Sequence, residues 1–407
     1  MLEFESFRKN KKNKNYKSYN YYKIYIKKEE KEKEKYMKVI LLQENFNKAI
    51  AEASRIAGSK VDLPILSNIL LTADKTSLKL SATNLETSIV RQIPCKVEEE
   101  GKITISAKIL AEIIPSLSAG KVELEVKKEQ IIIKCGRFFI KLNGMEAGEF
   151  PEIPEIEEKE KNKAVLIEKI KEISRQVFFA ASVDETRPVL NGVRLRVSEK
   201  EMEAVATDGY RLSRKIIKGK FEKEILSIVP ARAFLEASRL EDEEGKGVKF
   251  LPDVKGNQII FTAGNAQIIS RLIEGKFPPI SKVIPENWQT EVSLDKKELE
   301  RSVKMASVFA RQSANIMRLS VEKDKIIISA NAVSIGENKS EIEAKVKGDN
   351  VQAALNFRFV QDFLNAVEGE EVGIKLSGPL TPAIFTDTND NSFLHVIMPV
   401  RVQDSEA

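Results

Sequence analysis

The sequence predicts an α+β protein built from three copies of one unit, each with two helices laid on one side of antiparallel sheets. Three observations carry this. One segment pattern recurs at constant spacing, helices and strands come in the same order in each recurrence, and the strands sit at hairpin-scale spacing. A doubly wound α/β fold is not expected. No strand–helix–strand alternation is present, and the nearest glycine motif, Thr207 to Arg211 (TDGYR), lacks both GxGxxG spacing and a Walker lysine.

The repeat is read from segments that begin at Pro64, Pro188 and Asn315. Within them SATN from Ser81, VATD from Val205 and SANA from Ser329 stand 124 residues apart each time. A second anchor, GEFP from Gly148 against GKFP from Gly275, is offset by 127 residues. Chance similarity seldom keeps its spacing in two places. The expected domains are 37–160, 161–285 and 286–407, with charged or proline-rich links at Pro154–Lys163 and Pro278–Trp288.

Each copy opens with a predicted helix, at Asn45–Ala57, Ile167–Ser182 and Asp295–Ala310. In the second of these Ile170, Ile173, Val177, Phe178 and Ala181 recur at three- and four-residue steps, which places them on one face. Strands follow, from alternation such as Leu78-Lys79-Leu80 and the β-branched run Ile326-Ile327-Ile328. A second helix is predicted midway through each copy, at Ala107–Leu117, Pro230–Leu240 and Phe357–Val367. Short strands such as Ile131–Lys134, Gln258–Thr262 and Ala383–Thr386 close the copies.

Composition narrows the function. The 407 residues are 42% hydrophobic and 31% charged, enough to bury a sizeable core. No stretch reaches the length of a membrane span and the N-terminus lacks a signal-peptide core, so a soluble cytoplasmic protein is expected. Cys95 and Cys135 alone cannot build a disulfide framework or a cysteine metal site. His395 is the only histidine, which removes most histidine-based catalysis and metal ligation. The composition fits a protein that performs no chemistry.

Net charge is +5, but it is unevenly placed. Residues 1–36 hold twelve Lys and Arg, six Glu and six of the seven tyrosines, so this tail is +6 and the rest of the chain is −1. Such a segment reads either as a nucleic-acid arm, with lysines on phosphates and tyrosines on bases, or as a flexible appendage or upstream sequence before a start at Met37. The second reading is preferred, since a biased segment without a core stays disordered.

Base recurs on the predicted helices although the folded part is slightly acidic. Lys48, Arg55 and Lys60 mark the first, Lys169, Lys171 and Arg175 the next copy's opening helix, Arg232 and Arg239 its second. Lys296, Lys297, Arg301, Lys304 and Arg311 mark the third copy's opening helix. A solvated helix face is the ordinary fate of such charges. A ring-forming repeat would change that, because duplex DNA carries one charge per roughly 1.7 Å of axis and selects a basic lining. No base-reading motif is present, so DNA binding of this kind is sequence-independent.

Several segments, in order, resemble a known family. They are ATDGYRLS from Ala206, SRLIEGKFP from Ser270, HVIMPVR from His395, LPILSN from Leu63 and RPVLNG from Arg187. From Met37 to about Val402 the chain is similar to the bacterial sliding clamp, the beta subunit of DNA polymerase III. The resemblance implies the DNA-clamp fold: a head-to-tail homodimeric ring of six domains, helices inside around double-stranded DNA and sheets outside. It implies a processivity factor with no catalytic centre, metal or cofactor. Its partners would be the polymerase alpha subunit, the clamp loader, and other polymerases and repair proteins, each docking a short glutamine- and leucine-containing peptide.

Carried over position by position, the peptide cleft would comprise Leu190, Thr207, Gly209, Tyr210, Arg211, Leu212, Pro278, Val283, Leu380, Pro382, Val396, Ile397 and Met398. An apolar cleft with few polar groups suits a peptide anchored by aliphatic side chains. Lys60 and Arg187 would touch DNA from loops, together with Lys48, Arg55, Lys171, Arg175, Arg232, Lys297 and Arg301. Ile140 and Leu142 would meet Val308 and Phe309 of a second copy. The chain departs from the pattern at Tyr210, where some members have histidine, at Lys60, where some have arginine, and in the residues after Val402.

The same residues have plainer readings. Leu190, Val283, Val396 and Met398 could be ordinary core, Asp208 a turn residue, Arg211 a surface cation, and His395 a hydrogen-bonded or rim histidine. Two other classes compete. A hydrolase or transferase using Asp208 with Arg211 would need a second converging acid or a metal cluster, and a peptide-binding scaffold would never encircle DNA.

Overall fold

Alternation builds the sheets of this chain. Lys121–Lys127 (KVELEVK) buries Val122, Leu124 and Val126 and turns its charged residues outward, the period-two pattern of a strand with one wet face. The computed structural model describes residues 36–58, 63–154, 164–222, 224–240, 247–253 and 257–401. The basic tail, apart from Tyr36, therefore lies outside the described residues, as do Lys60 and the residues after Arg401. Tyr36 itself opens a strand, Tyr36–Leu42. Every strand pairing whose register is resolved is antiparallel, in keeping with the expected fold class.

The described residues form two compact units, those up to 154 with 265–267, and the remainder. In the first unit helix α1 (Gln43–Ile56) buries Phe46, Ala49, Ile50, Ala53 and Ile56 along one face and packs on helix α2 (Ala107–Ile113). The predicted run of α2 to Leu117 is cut short: Pro115 has no N–H to continue the ladder, and Ile114–Ser116 closes as a 3-10 turn. One sheet of this unit orders Gly101–Ser106, Asn68–Asp74, Ser77–Thr83 and Thr87–Pro94 side by side. The other orders Lys96–Glu99, Tyr36–Leu42, Lys121–Lys127, Gln130–Cys135 and Phe138–Asn143.

The second unit contains the same pattern twice. Helix α3 (Ile170–Val177) packs on α4 (Ala231–Ser238), and α5 (Lys296–Ala310) on α6 (Phe357–Ala366). Polar caps set two of these starts: the Asp295 carboxylate accepts from the Glu298 amide at 2.9 Å, and the Asn356 side chain from the Arg358 amide at 3.0 Å. The strand order Ile225–Pro230, Gly192–Val197, Glu201–Thr207, Arg211–Lys218 reappears as Val351–Asn356, Ile316–Glu322, Lys325–Ala332, Gly336–Glu343. Both match the first unit's order, so the repeat seen in sequence is a repeat of topology.

A shared sheet unites the middle and last copies. Strand Arg211–Lys218 of the middle copy pairs with Asp390–Ile397 of the last, which makes a single nine-stranded sheet. Arg211 stands opposite Ile397, Leu212 opposite Val396, Ser213 opposite His395 and Lys215 opposite Phe393. Helix α3 is shorter than the predicted Ile167–Ser182. The first predicted residue, Ile167, belongs to strand Val165–Ile167, and the end of the predicted helix tightens into a 3-10 turn at Phe178–Ala180.

Candidate functional site

Where the two copies share their sheet, alternation brings apolar side chains of both to one face. Val205, Leu212 and Val396 form a buried cluster, and Phe277, Ile280, Val283, Ile284 and Leu394 pack around it partly exposed. Val396 and Ile397 are neighbours on a strand and so point to opposite faces. Ile397 enters the core of the last copy beside Phe363 and Phe385 and does not line the cluster, contrary to its expected place in the cleft. Tyr210, Leu380 and Met398 are exposed, while Leu190, Pro278 and Pro382 are half-buried. The Met398 amide donates to the Tyr210 carbonyl at 2.9 Å, which ties the end of the last strand to the turn before Arg211.

That turn is set by Asp208. Its Oδ1 accepts the amides of Tyr210 at 2.9 Å and Arg211 at 3.0 Å, while Thr207 Oγ1 donates to the Arg211 carbonyl at 2.6 Å and accepts from the Gly209 amide at 3.1 Å. Gly209 has φ +92°, a conformation that strains any side-chain-bearing residue. Asp208 is thus a turn residue. Its remaining oxygen, Oδ2, accepts from Arg211 Nε at 3.0 Å.

Arg211 is not the surface cation that the plain reading offered. Only 11% of its side chain is exposed. Besides Asp208, Nη1 donates to Asp362 on α6 and Nη2 to the Phe179 carbonyl at 2.6 Å. The guanidinium lies over the Phe359 ring at 4.5 Å and the Phe179 ring at 5.5 Å. Two acids converge here on the arginine and not on an open site. Nearby, His395 is fully buried, with Nδ1 2.7 Å from Ser213 Oγ. Desolvation, with Arg211 acting in the same direction, pushes its pKa down to about 3, so it is a neutral, hydrogen-bonded core residue.

Sequence reasoning missed Val205, Phe277, Ile280, Ile284 and Leu394. Two of them had a signal: Leu394 is two residues before Val396 on the same strand face, and Ile280 is one short turn before Val283. Among the described residues no group of three or more His, Cys, Asp or Glu side chains is placed to hold a metal ion. Cys95 and Cys135 are free thiols.

The basic residues fall into two groups. Lys171, Arg175, Arg232, Lys297 and Arg301 are exposed, and Lys48 and Arg55 half-exposed, on their helices. On α5 the buried face is Leu299, Val303, Ala306 and Ala310, which leaves Lys297, Arg301 and Lys304 together on the wet one. Arg175 is engaged by Glu368, and Arg187 Nε pairs with Asp184 at 3.2 Å, so part of the expected positive charge is already matched. In the first unit Ile140 and Leu142 are half-buried on the edge strand Phe138–Asn143, whose Phe139 is 64% exposed. In the second, Val308 is exposed on α5 and Phe309 packs partly against the last copy's core.

Fold and site together define a binding protein made of repeated α+β domains. The family models of the DNA polymerase III beta subunit match in order: its N-terminal domain at residues 37–154, its central domain at 164–279 and its C-terminal domain at 281–401. The chain belongs to the DNA polymerase III beta-subunit family. It is 28% identical over 381 residues to the beta sliding clamp of Bacillus subtilis, covering 90% of this chain and all of that one. It is 29% identical over 392 residues to the beta sliding clamp of Synechocystis, with the same coverage. The crystal structure of the Bacillus subtilis DNA polymerase sliding clamp superposes with a TM-score of 0.82 at 28% identity, over 90% of this chain and all of that one.

Proposed function

We propose that this chain is a DNA sliding clamp, a processivity factor that catalyses nothing itself and holds a replicative polymerase on duplex DNA. The observation that carries the reading is the threefold repeat of one α+β unit, matched in order by the three domains of the beta-subunit family. Domains at 37–160, 161–285 and 286–407 would pair with those of a second copy to close a cytoplasmic ring. The pairing would use Ile140 and Leu142 of one chain with Val308 and Phe309 of the other. Exposed helix cations such as Lys171, Lys297 and Arg301 would face the phosphates without reading bases.

The apolar cluster around Leu212 and Val396, rimmed by Tyr210 and Met398, would receive the short glutamine- and leucine-containing segments of the polymerase alpha subunit, clamp loader and repair proteins. An aliphatic side chain entering such a cleft is a typical interface anchor. The test of the ring is retention on nicked circular DNA against linear DNA of equal length, after loading. A clamp stays on the circle and runs off the ends of the linear molecule. Equal retention on both would overturn enclosure and favour a scaffold that binds partners beside the DNA.

A further inference from the structure

We propose that Arg211 is a positioning residue that fixes the cleft's Asp208–Tyr210 turn to helix α6 through Asp362, and is not itself a peptide ligand. The inference rests on the cleft reading above. Arginine has five N–H donors and two flat faces. Here Nε, Nη1 and Nη2 are each committed, to Asp208, Asp362 and the Phe179 carbonyl, and the guanidinium carbon lies 5.5 Å from the Phe179 ring centre and 4.5 Å from that of Phe359. A side chain so enclosed has little left to offer an incoming peptide.

Its position explains what it does. Asp208 shapes the turn that carries Tyr210, one rim of the cleft, and belongs to the middle copy. Asp362 lies on α6, whose Val360, Phe363 and Leu364 are buried in the last copy, the copy that also supplies Val396 and Met398. Arg211 is therefore the strut between one rim and the body that carries the other. A planar guanidinium that donates to two carboxylates at once and lies against aromatic rings holds a distance that a flexible lysine cannot. Without it the cleft would have to be ordered by the peptide at the moment of binding, and that ordering weakens affinity.

The experiment uses the full-length dimer and a fluorescently labelled glutamine- and leucine-containing peptide. Asp362 is outside the apolar cluster and pairs with Arg211, so a change there probes the strut and not the cluster. Asp362→Asn is expected to weaken peptide binding by about fivefold to tenfold, a typical coupling between sites, whereas Asp362→Glu stays near wild type. In the peptide-free protein, hydrogen exchange at the amides of Tyr210 and Arg211 should quicken in Asp362→Asn. Phe359→Leu, which removes the aromatic ring against the guanidinium without changing charge, should act in the same direction should the asparagine variant fail to fold. Wild-type affinity and wild-type exchange in Asp362→Asn, with binding lost in Arg211→Ala, would make Arg211 a direct ligand and overturn the proposal. Failure of the cleft reading looks different: Met398→Ala would then leave peptide affinity untouched, while the exchange measurement still reports on the strut.

Discussion

His395 illustrates what burial does to a single residue. It lies against the rings of Phe179 at 5.1 Å and Phe363 at 6.0 Å and shares a hydrogen bond with Ser213 across the sheet join. Held neutral in the fold down to about pH 3, it takes a proton in the unfolded chain near pH 6.5. Its contribution to stability is therefore complete above pH 6.5 and is lost progressively as the pH falls from there toward 3. Denaturant unfolding across that window should show a shallower acid dependence in His395→Asn than in wild type, and equal slopes would refute the assignment. Met398 is the opposite case, a rim residue 38% exposed. On the proposed cleft, Met398→Ala should weaken peptide binding by about tenfold, as expected for loss of an apolar anchor, without changing the protein's sedimentation.

The elements were largely legible in sequence. Among the described residues all six helices fall within their expected spans to a few residues, because three- and four-residue apolar steps mark a buried face wherever the helix packs. What periodicity could not show is which polar residues would be buried. Nothing in the sequence around Lys215 sets it apart, yet only 3% of its side chain is exposed, and its Nζ lies 2.5 Å from Glu172 of α3 and 2.6 Å from Asp390 of the last copy. One repeat length earlier stands Arg91, buried beside Glu52 of α1, and one later Lys339, 64% exposed. The same repeat position thus has opposite burial according to whether another strand follows it in the sheet. Lys215→Ala would leave two acids facing each other without their cation, and chemical denaturation should report a loss of about 3–5 kcal/mol, the usual cost of breaking a buried ion pair. A loss below about 1 kcal/mol would mean that the pair behaves as a surface bridge.

At the scale of the whole molecule, enclosure and adhesion predict different salt behaviour. Binding through phosphate contacts weakens steeply as salt rises, because counterions are released on association. A closed ring slides but stays, so retention on nicked circles should persist through a rise in salt that strips the same protein from linear DNA. Equal loss from both would mark adhesion. Pairs such as Arg175 with Glu368 and Arg187 with Asp184, which already neutralise part of the basic set, suit a protein whose grip does not depend on tight phosphate contacts.

By itself the sequence determined the threefold repeat, the order and span of its elements and the family, since these depend on spacing and periodicity, which the chain carries locally. Tertiary structure decided which side of a strand each residue faces once two copies share a sheet. It put Val396 on the candidate cleft and Ile397 in the core, and buried Arg211, Lys215 and His395 at the join. The reason is physical: burial of a polar side chain depends on partners supplied by distant segments, here Asp362, Asp390 and Ser213, and no local pattern encodes their arrival.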